Sequence, residues 1–193
     1  MRTVSRFLAP GLLVAAAFGA WWLRWAEATD VIAIRPTIEV TGSTPEQLAL
    51  ARWAVGRFET AGLEPPAVEI AFHGDPSACG GHMGWARAGS VEVCTVLANE
   101  MSRRNLLHEM SHVWLDQNVG SDTREMFLDD RGLPSWNSSH DPWELRGFEQ
   151  AAEIMAWALG NRILAPQIPE AEPSALGGGF KTLAGVALPA TER

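Results

Sequence analysis

Leu107-His108-Glu109-Met110-Ser111-His112 is an HExxH sequence lying inside an apolar, helix-forming run over residues 105–115. Side chains four residues apart stand on the same face of a helix, so the two imidazoles, one turn apart, can reach a single metal ion. Glu109, next to the first histidine, is placed to take a proton from a water on that ion. The stretch predicts a zinc hydrolase with His108 and His112 as ligands and Glu109 as general base.

A catalytic zinc usually keeps three protein ligands and one water. The extended pattern HExxHxxGxxH needs a glycine where Leu115 stands and a histidine where Asn118 stands, so that ligand set is excluded. The other common solution is a glutamate from a downstream helix. A strong helical pattern begins at Pro142-Trp143-Glu144 and runs to Leu159, and it carries Glu149-Gln150-Ala151-Ala152-Glu153. Glu149 and Glu153, at i and i+4, share one face of that helix. Glu144 is a third carboxylate near its start. The residues alone leave the choice among them open.

The chain has 193 residues, 47% of them hydrophobic, which suffices for one core and makes one domain the default. The formal net charge is −8; Arg2, Arg6, Arg24 and Glu27 give the first 28 residues +2 and leave −10 on the rest. An acidic body argues against nucleic acid, and against an anionic membrane surface, as partner.

Residues 1–28 read as a signal peptide or an N-terminal membrane anchor. Arg2 and Arg6 precede an apolar run over residues 7–23, and Ala26-Glu27-Ala28 supplies a small-x-small cleavage pattern. Trp21, Trp22 and Trp25 suit the anchor, as residues of a bilayer interface. Both readings put residues 29–193 outside the cytoplasm, secreted or held at the membrane. The two cysteines, Cys79 and Cys94, then predict a disulfide, worth about 3 kcal/mol for a loop of this size.

Between these landmarks, residues 31–40 read as one extended segment around Pro36. Ser43-Thr44-Pro45-Glu46 starts a helix that reaches Gly62, and residues 68–72 and 90–97 read as strands. Arg103 and Arg104 stand at the unfavourable end of the HExxH helix for its dipole. Residues 120–142 read as a long loop, suited to covering a cleft. Residues 29–165 are assigned to the main domain, and residues 166–193 to a proline- and glycine-rich tail, loosely packed. His73 and His82 fall in turns.

Taken together, the HExxH stretch and the paired glutamates make residues 91–159 resemble the gluzincin metallopeptidases, and most of all a small, secreted, single-domain (minigluzincin-like) member. The resemblance implies an α+β, zincin-like fold: a small twisted sheet packed on the HExxH helix, and a second helix carrying the glutamate ligand. It implies Zn2+ held by His108, His112 and Glu149, with Glu153 as the acid that hydrogen-bonds a ligand histidine. It further implies hydrolysis of a peptide or protein substrate, by a chain expected to act as a monomer. Glu153 stands where the family more often has aspartate, and Phe148 where thermolysin-like enzymes have asparagine. Those enzymes stabilise the oxyanion partly with a tyrosine, and this chain has none. His140 is the leading replacement, with Arg146 behind it. The rivals are an inactive zincin-like binding or scaffold domain, and a zinc amidase acting on cell-wall cross-links.

Overall fold

Alternation of apolar and polar side chains builds the sheet. In β2 (Ile38–Thr41), β3 (Val68–Phe72) and β5 (Ser90–Val93) every second residue is buried. One face therefore carries Ile38, Val40, Ile70, Phe72, Val91 and Val93, and the other carries Glu39, Glu69 and Glu92. With β1 (Ile32–Arg35) and β4 (Gly84–Arg87) they form a mixed five-stranded sheet in the order β1-β2-β3-β5-β4. The outer pairs β1–β2 and β4–β5 are antiparallel, and the inner pairs β2–β3 and β3–β5 are parallel. This computed structural model describes residues 31–191 apart from 36 and 95–97. The expected signal peptide or anchor at residues 1–28 lies outside the described residues.

Two strand expectations need correction. Residues 31–40 form two strands, paired antiparallel with Ile32 opposite Val40, where a single extended segment was expected. The strand expected over 90–97 is present as β5, ending at Val93, and residues 95–97 lie outside the described residues. β4 was not anticipated: its four residues begin with glycine and expose Trp85, so neither propensity nor alternation marks them. Pairing with β5 makes it a strand.

α1 (Pro45–Thr60) makes the parallel crossover from β2 to β3. A reciprocal cap starts it: Thr44 N–H donates to Gln47 Oε1 at 2.8 Å, and Gln47 N–H donates to Thr44 Oγ1 at 3.3 Å. Leu50, Ala51, Ala54, Val55 and Phe58 go into the core. α2 (Glu100–Asn118) carries the HExxH residues and begins earlier than the apolar run suggested. Asn99 caps it by accepting from Ser102 N–H at 2.9 Å. The first turn therefore holds Glu100, which pairs with Arg103 at 2.6 Å, so the expected dipole penalty is offset. At the other end the Gln117 amide makes both backbone hydrogen bonds of Ala67, at 3.0 and 2.8 Å, and pins the helix beside β3.

α4 (Gly147–Leu159) packs along α2, and Ala151 and Ala152 are fully buried. Residues 143–145, expected to open this helix, form a separate 3-10 turn. The segment over 120–142, expected as loop, contains α3 (Ser121–Arg131). Its sequence is almost entirely polar and buries only Phe127, so helical periodicity had nothing to register. The reading of the C-terminal segment as loose is also overturned. α5 (Pro173–Ala184) packs on α3 and α4 and buries Leu176, Phe180 and Leu183. Its glycine run serves close approach. A Cβ on Gly179 would stand 3.0 Å from Ile154 Cδ1 and 3.3 Å from Phe127 Cε2. Val31–Arg193 is one compact unit.

The expected disulfide between Cys79 and Cys94 is present. It joins the 3-10 turn Pro76–Cys79 to the residue after β5, and the loop it closes contains the whole of β4.

Because Phe180 is fully buried against α3 and α4, Phe180→Ala should lower the unfolding free energy by about 3–5 kcal/mol. Urea denaturation measures this; a loss below about 0.5 kcal/mol, typical of a surface site, would show that the tail is not core.

Candidate metal centre

Two helices bring three metal-binding atoms to one point. From α2, His108 Nε2 and His112 Nε2 stand 3.1 Å apart. From α4, Glu149 Oε2 stands 3.3 Å from the first and 3.2 Å from the second. Nothing in either helix alone fixes those distances; they follow from the packing of α4 against α2. A tetrahedral ion with bonds of about 2.0–2.1 Å holds its ligand atoms roughly 3.3–3.4 Å apart, so the triangle has the right size. Two imidazoles and one carboxylate are also the donor set of catalytic zinc sites that keep a position open. Among the described residues no other group of three histidine, cysteine or acidic side chains is so arranged.

The two histidines are supported differently. Glu153 Oε1 lies 3.0 Å from His108 Nδ1, close enough for an ion pair though not aligned as a hydrogen bond. Glu153 in turn pairs with Arg104 and accepts from Gln167 N–H at 3.3 Å. His112 Nδ1 is buried without a hydrogen-bond partner among the described residues, and its ring is held by Phe148, centroid to centroid 4.2 Å. Trp143 stacks on the His108 side at 6.2 Å.

Charge within this cluster is set by burial against mutual compensation. Burial opposes a charge on His108, but Glu149 and Glu153 outweigh it and hold its pKa up at about 9. Burial lowers that of His112, with the neighbouring His108 charge acting the same way. Burial raises Glu149 and Glu153, yet the histidines, and Arg104 beside Glu153, hold both carboxyls below their ordinary range. Glu109 lacks such a partner of its own, and burial pushes it up to about 7.

These residues line a cleft of about 510 Å3. Its floor is one face of α2: Arg104, His108 and His112 follow at intervals of four, with Asn105 and Glu109 beside them. One lip is β4, with Met83, Gly84 and Trp85; Trp143 and Phe148 stand opposite. Gly84 is required by close approach to the base, since a Cβ there would sit 2.9 Å from Glu92 O and 3.1 Å from Glu109 Cγ.

The structure thus brings His108, Glu109, His112, Glu149 and Glu153 together. It does not bring His140 or Arg146 to the cleft. His140 is exposed in a loop folded on itself, where Ser135 Oγ donates to Asp141 at 2.5 Å and Arg146 donates to Asp141 O at 3.0 Å. Glu144 is exposed on the 3-10 turn. His73 pairs with Glu92, while His82, read as a turn residue, lines the cleft. Arg104 and Asn105 were also missed as site residues, although each stands four residues before a residue of the motif. No family model matches the chain, and neither a curated protein nor a solved structure matches it.

Metal binding needs both imidazoles neutral, whereas the metal-free site holds a proton on His108 below about pH 9. Zinc added at pH 7 should therefore displace about one proton per ion, and its affinity should rise with pH up to that point. Titration calorimetry in buffers of different ionisation enthalpy reads the number; zero would show that His108 is already neutral.

Proposed function

We propose that this protein is an extracytoplasmic zinc metallopeptidase with a zincin-like, gluzincin-type site, acting as a monomer on a peptide or protein substrate. The observation that carries this reading is the triangle of His108 Nε2, His112 Nε2 and Glu149 Oε2, with sides of 3.1–3.3 Å, opening into a cleft that also holds Glu109. Zinc suits a site of two imidazoles and a carboxylate, and it would supply a Lewis acid for the substrate carbonyl and a water of pKa near ~7.

The chain's own residues complete the chemistry. Glu109 lines the cleft beside the histidines, and burial raises its carboxyl in the metal-free site. It takes a proton from the attacking water and returns it to the leaving amine. Glu153 holds the orientation of the His108 ring. His82 lines the cleft, and the task of stabilising the developing oxyanion passes to it from His140.

The peptide class rests on β4. It is the last strand of the sheet and lies along the cleft, so its outer edge offers unpaired backbone groups to an extended chain. The disulfide accords with an oxidising, extracytoplasmic compartment. No helix among the described residues is long and apolar enough to cross a membrane.

Glu109→Gln should keep one zinc per chain by elemental analysis and lose peptide-cleaving activity by at least about 100-fold, the scale of a general base. Glu149→Ala should lose the zinc itself. Zinc retained with no activity in the unmutated protein, against broad peptide libraries, would favour the scaffold reading. His82→Ala should reduce kcat by about 100-fold or more, as for an oxyanion donor, with His140→Ala within about twofold of the parent. The reverse order would restore His140 to the role.

A further inference from the structure

Glu149 and Glu153 are one turn apart on α4, both are carboxylates, and both face His108. Something must decide which of them meets the ion. We propose that Arg104 is a positioning residue of the metal centre: it withdraws Glu153 from competition for the ion and holds it as the carboxylate that orients His108.

The assignment follows from how the oxygens are used. Glu149 Oε2 faces the two Nε2 atoms and, among the described residues, has no cationic side chain paired with it besides the histidines. Glu153, 2% exposed, has both oxygens committed: Oε2 to the Arg104 guanidinium and to Gln167 N–H, and Oε1 toward His108 Nδ1. A carboxylate this deeply buried is destabilising unless a cation and further donors compensate it. Arg104 is the cation, and its side chain is 16% exposed at the cleft floor. It stands four residues before His108 on α2, so the helix itself sets guanidinium and imidazole on one face. The chain Arg104–Glu153–His108 thus runs from α2 to α4 and back to α2. The contact is made by one guanidinium nitrogen, Nη2, on Oε2, so the charge of Arg104 holds that oxygen and leaves Oε1 for His108. Without Arg104, Glu153 is an uncompensated anion one turn from the ion, and the His108 ring loses its fixed partner.

This inference rests on the metal-site reading above. The test is zinc affinity by chelator competition on the full chain, for the parent, Arg104→Met, Arg104→Lys, Glu153→Gln and the double variant Arg104→Met/Glu153→Gln. The parent should bind one zinc, and Arg104→Met should bind it about tenfold more weakly or worse, the usual scale for a residue behind a ligand. Arg104→Lys should recover part of the loss. The double variant should be no weaker than the weaker single variant, because both substitutions break one chain. It also removes the stranded charge, so it keeps the test alive if Arg104→Met does not fold. The 15N shifts of the His108 ring in the zinc-loaded protein should move in Arg104→Met and Glu153→Gln alike. Losses that multiply in the double variant, or an Arg104→Met protein that binds like the parent, would overturn the positioning role and leave the metal site standing. A parent that takes up no zinc would overturn the metal site and this inference with it.

Discussion

The approach of α4 to α2 is the constraint on which the rest depends. It brings Glu149 Oε2 to 3.3 Å from His108 Nε2 and 3.2 Å from His112 Nε2, and sets Glu153 beside His108 Nδ1. The same closeness puts two carboxylates and two imidazoles into a nearly dry space, where each charge is tolerated only through its neighbours. Glu149 answers the histidines, Glu153 answers His108 and Arg104, and the residue left without such a partner is Glu109. Glu109, the proposed general base, is therefore the group whose carboxyl burial pushes up to about 7.

Support for the two histidines is divided between electrostatics and packing. His108 is held by an anion that is itself held by a cation, and His112 by the face of Phe148. Phe148 and Glu149 are consecutive, so one turn of α4 supplies both the wedge against one ring and the third ligand atom. At the other end of the cleft, β4 contributes backbone where the helices contribute side chains. Gly84 keeps that backbone against Glu109, so the base and the sheet edge are neighbours by contact.

How much of this could be read from the sequence depends on whether the signal is local. His108, Glu109 and His112 are related by helical spacing, and so are Glu149 and Glu153; each set is decided within two turns. The disulfide followed from a count of two in an exported setting. The α+β composition and the strands at 68–72 and near 90 also came from local alternation. What escaped was decided at a distance. β4 is a strand because β5 lies beside it, α3 is a helix with one buried residue, and α5 is held by α3 and α4 across a glycine run that looks flexible in isolation. Arg104 was weighed only against the helix dipole, because its partner lies on another helix 49 residues away. His82 and His140 are both loop histidines by sequence, and only the folding of their loops separates the one at the cleft from the one in solvent.

The covalent bridge between Cys79 and Cys94 has a consequence for the order in which this molecule becomes complete. The loop it closes contains β4, so one wall of the cleft belongs to a covalent ring, while the opposite wall and the floor are held only by packing. Helices α2 and α4 can dock and form the histidine–carboxylate cluster in a chain whose thiols are still reduced. In such a chain β4 keeps its pairing with β5 and its packing on α2, but has no covalent tie. Oxidation adds that tie to the one wall of the cleft that backbone builds.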